Sequence, residues 1–101
     1  MKIDHLVLLA VRRELLTEEK RADFLSLADE VRKELAIALE NRVVFSEPEG
    51  SPVSDILSHW RFASQEDLER FRISRAHLDH LERVKPLLLG KQVIDLPGNE
   101  S

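Results

Sequence analysis

The chain has 101 residues, of which 43% are hydrophobic and 34% are charged, and its net charge is −4. This balance is typical of one globular domain and excludes a disordered chain, and the acidic charge argues against a general affinity for nucleic acid or anionic membranes. Because there is no cysteine, disulfides, thiolate metal sites and a cysteine nucleophile are excluded. No apolar run approaches the ~20 residues of a membrane-spanning helix, and the cytoplasm is the expected location.

The first predicted element is a strand over residues 3–12 with apolar side chains on both faces. One face carries Ile3, His5, Val7, Leu9 and Val11, and the other carries Asp4, Leu6, Leu8 and Ala10. The chain has room for only two or three helices, which can cover one face of a sheet. The other face therefore needs a different partner.

A helix is predicted from Thr17 to about Leu35. Thr17 is a typical N-cap residue, and Glu18 and Glu19 complement the helix dipole in the first turn. Apolar residues at helical spacing predict a buried stripe made of Phe24, Leu27, Ala28, Val31 and Leu35. A second strand is predicted over residues 39–46.

Residues 47–53 contain two prolines and a glycine, which predict a loop or hairpin connection. A third strand, residues 55–62, places Ile56, Ser58, Trp60 and Phe62 on one face and Leu57, His59 and Arg61 on the other. At Ser64 the pattern changes to the helical period, and Asp67 three residues later completes a sequence that resembles a capping box.

The last part of the chain predicts a second helical region and a closing strand. The run from Arg72 to Arg75 predicts a bend or break, and a helical stretch follows from Ala76 to about Leu88, with Pro86 weakening the regular helix near its end. One face of that stretch carries His77, Leu81, Val84 and Leu88. Gly90 is the predicted helix stop, residues 91–96 are the last strand, and residues 97–101 are a tail.

The predicted order β-α-β-β-α-β indicates an α+β fold and a single domain over residues 1–101. Its natural arrangement is a four-stranded antiparallel sheet with helices on one face, the ferredoxin-like plait. The open face then carries Leu6, Leu8 and Ala10. Packing two such faces together would bury them, so a symmetric homodimer is expected.

Five stretches of the chain together resemble the stress-responsive A/B barrel family of dimeric α/β barrels. They are IDHLVLLAVRR, LTEEKRADFLSL, FASQEDLERF, RAHLDHLERVKPLL and VIDL. The resemblance implies a homodimer whose two sheets form a shared barrel, with a pocket between sheet and helices. A plant relative is a polyketide cyclase that uses a histidine and a tyrosine. The resemblance places His77 at that histidine, His5 at a second pocket histidine and Phe71 at the tyrosine.

The candidate acid–base residues are therefore His77 and His5, because imidazole transfers protons near neutral pH. Each of them has an alternative role as a packing residue, His5 as a core histidine and His77 between helix and sheet. The expected ligand pocket is walled by Trp60, Phe71 and Phe24, with Trp60 also compatible with a core role. Asp95, on the last strand, is expected to orient His5 or to pair with a basic residue.

His77 and His80 lie three residues apart on a helix, with Asp79 and Glu82 nearby. This spacing is compatible with a metal site, but it also occurs by chance, and His80 is predicted to face outward. No metal or other cofactor is expected. His59 is predicted to lie on the dimer face, where it would make polar interface contacts.

Three functions remain open at this point. The first is a homodimer that binds a small hydrophobic or aromatic molecule, with or without chemistry. The second is a cyclase, isomerase or cofactor-free monooxygenase with His77 and His5 as acid and base. The third is a purely structural, stress-protective dimer. An apolar cavity that reaches both histidines would distinguish the first two functions from the third.

Overall fold

The computed structural model describes residues 2–46 and 55–97. The strands are β1 (Ile3–Val11), β2 (Leu39–Phe45), β3 (Ile56–Phe62) and β4 (Leu88–Pro97), and the helices are α1 (Glu18–Leu35), α2 (Gln65–Arg72) and α3 (Arg75–Val84). Short 3-10 turns at Arg13–Leu15 and Lys85–Leu87 precede α1 and β4. The predicted order is confirmed, with its second helix divided in two. The predicted connection at residues 47–53 lies outside the described residues.

The four strands form one antiparallel sheet in the order β2-β3-β1-β4, which is the ferredoxin-like arrangement expected from the sequence. β1 is central, and its His5 lies opposite Trp60 of β3 and opposite Asp95 of β4. Side chains directly opposite on antiparallel strands share a sheet face. The register therefore brings the imidazole, the indole and the carboxylate to the same side of the sheet.

Helix α1 begins and ends with local contacts that the sequence partly predicts. The Thr17 side chain accepts a hydrogen bond from the backbone N–H of Lys20, which confirms the predicted N-cap. At the other end Ala36 has a φ of 52° and donates its N–H to the carbonyl of Arg32. This left-handed position usually carries glycine, because a Cβ is strained there.

The second helical region breaks at Ile73, within the predicted run. Ser74 accepts a hydrogen bond from the N–H of His77 and so caps α3, while the Glu34 carboxylate accepts hydrogen bonds from the N–H groups of Arg75 and Ala76. These bonds hold the pKa of Glu34 below its usual value. The start of α3, which carries two histidines, is thereby fixed to the end of α1.

The predicted end of this region is wrong. Helix α3 ends at Val84 and β4 already begins at Leu88, because Pro86 lacks an N–H and its ring clashes with the preceding turn. Gly90 is not a helix stop but a β4 residue opposite Ala10. β4 also includes Pro97, the first residue of the predicted tail, and residues 98–101 lie outside the described part.

The helices cover one face of the sheet and leave the other face open. The core on the covered face contains Trp60, Phe62, Leu68 and Phe71, all at most 2% exposed. The alternation of β1 and its neighbours places seven apolar side chains on the open face: Leu6, Leu8, Ala10, Val44, Leu57, Ile94 and Leu96. No helix in the described residues is long and apolar enough to cross a membrane.

Candidate functional site

A cavity of about 370 Å³ lies between the covered sheet face and the helices. Most of its wall is apolar: Val7, Leu9, Phe24, Leu27, Trp60, Phe71, Leu81, Val84, Leu88 and Val93. Its polar lining consists of His5, Ser58, Arg72, His77, His80 and Lys91. The structure thus brings three imidazoles and two cationic side chains to one largely apolar space.

All five residues selected from the sequence line this cavity, namely His5, His77, Trp60, Phe71 and Phe24. Phe71 lies between the two histidines, with its ring centroid 5.9 Å from that of His5 and 4.3 Å from that of His77. Their roles in catalysis or binding remain predictions. The chain has no tyrosine, and at the position of Phe71 it presents an aromatic ring without a hydroxyl group.

His5 reaches the cavity from the sheet. It is only 5% exposed, and its Nδ1 is paired with Oδ1 of Asp95 on the neighbouring strand. The second oxygen of Asp95 accepts a hydrogen bond of 2.7 Å from Nη2 of Arg72. Asp95 therefore has both of the partners considered from the sequence, and the ion pair with Arg72 fixes the carboxylate that orients His5.

His77 reaches the cavity from the first turns of α3. Its Nδ1 lies 3.1 Å from the carbonyl oxygen of Arg72. Because a carbonyl can only accept, we assign the proton to Nδ1. Burial lowers the pKa of His77 from its ordinary value of 6.5, and the hydrogen bond to the carbonyl offsets this only in part. The imidazole is therefore neutral near pH 7.

The prediction that His80 faces outward is wrong. His80 is 5% exposed, its Nδ1 lies 2.7 Å from Oδ1 of Asp23 on α1, and its ring packs edge-on against Phe24 at 4.7 Å. Positions three and four apart share a helix face, and His80 lies three residues after His77 and four before Val84. This spacing predicts burial on the same stripe, and the charged neighbours of His80 in sequence obscured it.

Asp23 is held from two sides. Arg83 donates from Nε to Oδ2 and from Nη2 to Oδ1, the latter at 3.2 Å. Burial by itself would raise the pKa of Asp23, but the hydrogen bonds from Arg83 and His80 outweigh it, and the pKa is lowered. For His80 burial is the larger effect, and its pKa falls despite the carboxylate. A neutral imidazole therefore donates to a charged aspartate.

The three cavity histidines share one arrangement. Each uses Nδ1 for a carboxylate or carbonyl, and no hydrogen bond to any of their Nε2 atoms occurs within residues 2–46 and 55–97. Every buried side-chain nitrogen or oxygen in the same residues has a hydrogen-bond partner. A side-chain nitrogen without a partner is therefore not buried. The Nε2 atoms of His5, His77 and His80 are therefore accessible from the cavity.

Arg72 and Lys91 were missed as site residues. Arg72 lies in the run read as a helix break, and Lys91 comes from the predicted last strand, whose face toward the cavity also carries Val93 and Asp95. Alternation along that strand was the available signal. No three histidine, aspartate or glutamate side chains in the described part of the chain are placed to hold a metal ion.

His59 lies on the open face, away from the cavity. Its Nε2 is 2.9 Å from Oδ1 of Asp4, which also accepts a hydrogen bond of 3.1 Å from Nε of Arg61. The hydrogen bond from His59 and the charge of Arg61 keep the pKa of Asp4 below its usual value. This charged cluster occupies one end of the open face.

We expect stability to fall with pH below the ordinary histidine pKa of 6.5. The folded-state pKa values of His77 and His80 are depressed, so the unfolded chain binds protons more readily, and the contribution present above that pH is lost as the pH falls. Urea unfolding from about pH 7.5 to about pH 5.5 should show a larger loss of unfolding free energy for the wild type than for His77→Phe/His80→Phe. Equal losses would contradict the assigned neutral imidazoles.

The comparisons with known proteins identify the fold. A scan of protein-family models found no match, and a search of curated proteins found none. Among solved structures, the chain is similar to a dimeric ferredoxin-like protein of unknown function from Thermobifida fusca, with a TM-score of 0.76 and 10% identity over 95% of this chain and 90% of that chain.

Two further similar structures carry more informative descriptions. One is a dabb family protein with a ferredoxin-like fold from Mesorhizobium loti, with a TM-score of 0.70 and 15% identity over 98% of each chain. The other is a Nitrosomonas europaea protein provisionally described as an antibiotic biosynthesis monooxygenase, with a TM-score of 0.78 and 10% identity over 96% of this chain and 89% of that chain. The chain therefore has the ferredoxin-like fold, and its structural neighbours include a dabb family protein, in agreement with the resemblance found in the sequence.

Proposed function

We propose that this chain is a homodimeric protein of the stress-responsive A/B barrel type that binds a small, mostly apolar organic molecule between its sheet and helices. The observation that carries the proposal is the cavity of about 370 Å³ with ten apolar lining residues. Ligand pockets commonly have volumes of about 300 to 1,000 Å³ and combine apolar walls with a few polar groups. The cavity is partly open to solvent, so a ligand can enter it from the surface.

The charges at the cavity favour a ligand with an acidic group. Arg72 and Lys91 line it, and while Arg72 is paired with Asp95 and Glu69, Lys91 forms no ion pair with the described residues. The neutral imidazoles of His77 and His80 add no charge of either sign. A carboxylate attached to an aliphatic or aromatic body would place its charge near Lys91 and its body against Phe24, Trp60 and Phe71.

The open sheet face supports the proposed homodimer. Val44, Ile94 and Leu96 are 39%, 38% and 50% exposed, and Leu6, Leu8 and Leu57 add to the same surface. A continuous apolar surface of this kind on one sheet face is typical of an interface. The Thermobifida fusca neighbour is described as dimeric, and a second copy is the partner with a complementary surface under two-fold symmetry.

A second candidate function is acid–base catalysis by His77 and His5. The specific observation in its favour is that both imidazoles flank Phe71 at one cavity with Nδ1 engaged and Nε2 accessible. A neutral His77 could remove a proton from a carbon next to a carbonyl group, leaving the electron pair on the enolate. The monooxygenase description of the Nitrosomonas europaea neighbour makes an enzyme worth testing.

Binding is tested with decanoate, an aliphatic carboxylate, and the lone tryptophan Trp60 as the reporter. Decanoate should displace cavity water and shift the Trp60 emission to shorter wavelength. Leu81→Phe fills part of the cavity and should weaken binding by about tenfold or more. The matched control is Leu25→Phe, because Leu25 is 57% exposed on α1, and it should bind like the wild type. A purely structural dimer predicts no shift in any variant, which would refute the binding proposal.

Dimerisation is tested with Leu8→Glu. Each copy would place a carboxylate in the apolar interface, where an unpaired charge is costly, so we expect the dimer to dissociate at least about a hundredfold more readily. Sedimentation velocity at micromolar concentration gives the measurement. Leu25→Glu, on the opposite side of the molecule, should remain dimeric. A folded wild-type monomer at micromolar concentration would refute the homodimer.

Catalysis is tested with phenylpyruvate, which has an aromatic ring, a carboxylate and C–H bonds next to a ketone. In deuterated water the wild type should accelerate exchange of those hydrogens, as His77 removes a proton and returns a deuteron. General base catalysis contributes about 10² to 10⁴-fold, and His77→Gln should lose about that factor. Exchange no faster than in buffer, or undiminished in His77→Gln, would exclude this function for α-keto acids.

A further inference from the structure

We propose that His80, held by Asp23, forms a hydrogen-bond acceptor subsite in the cavity for the hydroxyl group of a phenol- or enol-type ligand. The inference rests on the proposed ligand-binding function and specifies one polar group of the ligand. The resemblance to the A/B barrel family gives His80 no role, and neither the proposed binding nor the proposed catalysis involves it.

The orientation of the imidazole follows from its partner. Nδ1 of His80 lies 2.7 Å from Oδ1 of Asp23, and an ionised carboxylate accepts hydrogen bonds but donates none. The carboxylate stays ionised because Arg83 donates two hydrogen bonds to it and its pKa is lowered. The proton of a neutral His80 is therefore on Nδ1, and Nε2 carries the lone pair.

The position of the ring is fixed on the other sides as well. Phe24 contacts it edge-on, with centroids 4.7 Å apart and an interplanar angle of 82°. Lys20 of α1 donates a hydrogen bond of 2.9 Å to the carbonyl of Arg83, one turn after His80, so that the two helices are joined at this level. An acceptor held in this way is oriented before any ligand arrives, which favours specific binding.

No group in the described residues donates a hydrogen bond to Nε2 of His80. The residue lines the cavity. Every buried side-chain nitrogen or oxygen in the described residues has a hydrogen-bond partner, so an Nε2 atom without one is not buried. Leu81 and Val84 line the same cavity as His80. A ligand that excludes water from these apolar side chains must supply the hydrogen bond itself, or binding is weakened.

The surroundings select among possible donors. Arg72 and Arg83 are each paired with carboxylates, whereas Lys91 lines the cavity without an ion pair to the described residues and disfavours a cationic ammonium donor by charge repulsion. A hydroxyl group is neutral, and the O–H of a phenol or enol is more acidic than that of an alcohol and is a better donor to imidazole. The aromatic side chains Phe24, Trp60 and Phe71 favour a flat apolar body next to that hydroxyl.

The test compares 2-naphthol with 2-methoxynaphthalene, which has the same ring system but no donor. Isothermal titration of the full chain at about pH 7.5, where His80 is neutral, measures both affinities. We expect the wild type to bind 2-naphthol about tenfold more tightly or better. In His80→Phe this preference should disappear through weaker binding of 2-naphthol, while the affinity for 2-methoxynaphthalene changes by less than about twofold.

Matched variants separate the subsite from other effects. His59→Phe makes the same substitution on the open face and should keep the preference. Asp23→Asn tests the positioning residue: ¹H–¹⁵N spectra should show the His80 proton on Nδ1 in the wild type and a mixture of tautomers in the variant, with a reduced preference. This variant also serves if His80→Phe does not fold.

The outcomes distinguish this inference from the proposed function. The subsite is refuted if the preference for 2-naphthol persists in His80→Phe, or if it is lost in His77→Phe but not in His80→Phe. In either case the proposed ligand binding is not refuted. A His80 proton on Nε2 in the wild type also overturns it. If neither naphthalene compound nor decanoate binds the wild type, the proposed function itself fails, and the subsite fails with it.

Discussion

The sheet has apolar side chains on both faces, and the three helices cover only one of them. This constraint determines the rest of the molecule. On the covered face, Trp60 and Phe62 pack with Phe71 of α2 and with buried residues of α1, and β4 contributes Leu88, Lys91 and Val93 to the cavity lining. On the open face, Leu6, Leu8 and Ile94 remain at the surface of the single chain. The same alternation of side chains along β1 thus supplies a wall of the cavity and the open apolar surface for which we propose a homodimer.

The fold could be predicted from the sequence because its signals are local. Alternation identified β1 and β3. Thr17 and Ser64 identified the starts of α1 and α2, because each side chain accepts a hydrogen bond from the N–H group three residues later. The end of α3 was predicted less well. The apolar period continues through Leu88, but Pro86 cannot continue the helix, and here the constraint on the backbone outweighs the pattern of side chains.

The site could be predicted only in part. His5 and His77 were selected because they lie on apolar faces and because the resemblance to the A/B barrel family marks both positions, and the structure places them at one cavity. Asp95 was expected as a partner of His5, although the two residues lie 90 positions apart in sequence. The pairing of Asp23 with His80, 57 positions away, was not expected. It depends on the packing of α3 against α1, which no periodicity of the sequence indicates.

The pairing of His5 with Asp95 has a consequence for motion. In the single chain, β4 is an edge strand whose residues from Leu89 to Pro97 are all exposed, and edges with little buried surface are the first parts of a sheet to open. Asp95 would leave with that strand and would release Arg72 as well as His5. A brief fraying of β4 would thus free an imidazole and a guanidinium at the same moment, while the aromatic core beneath them stays intact.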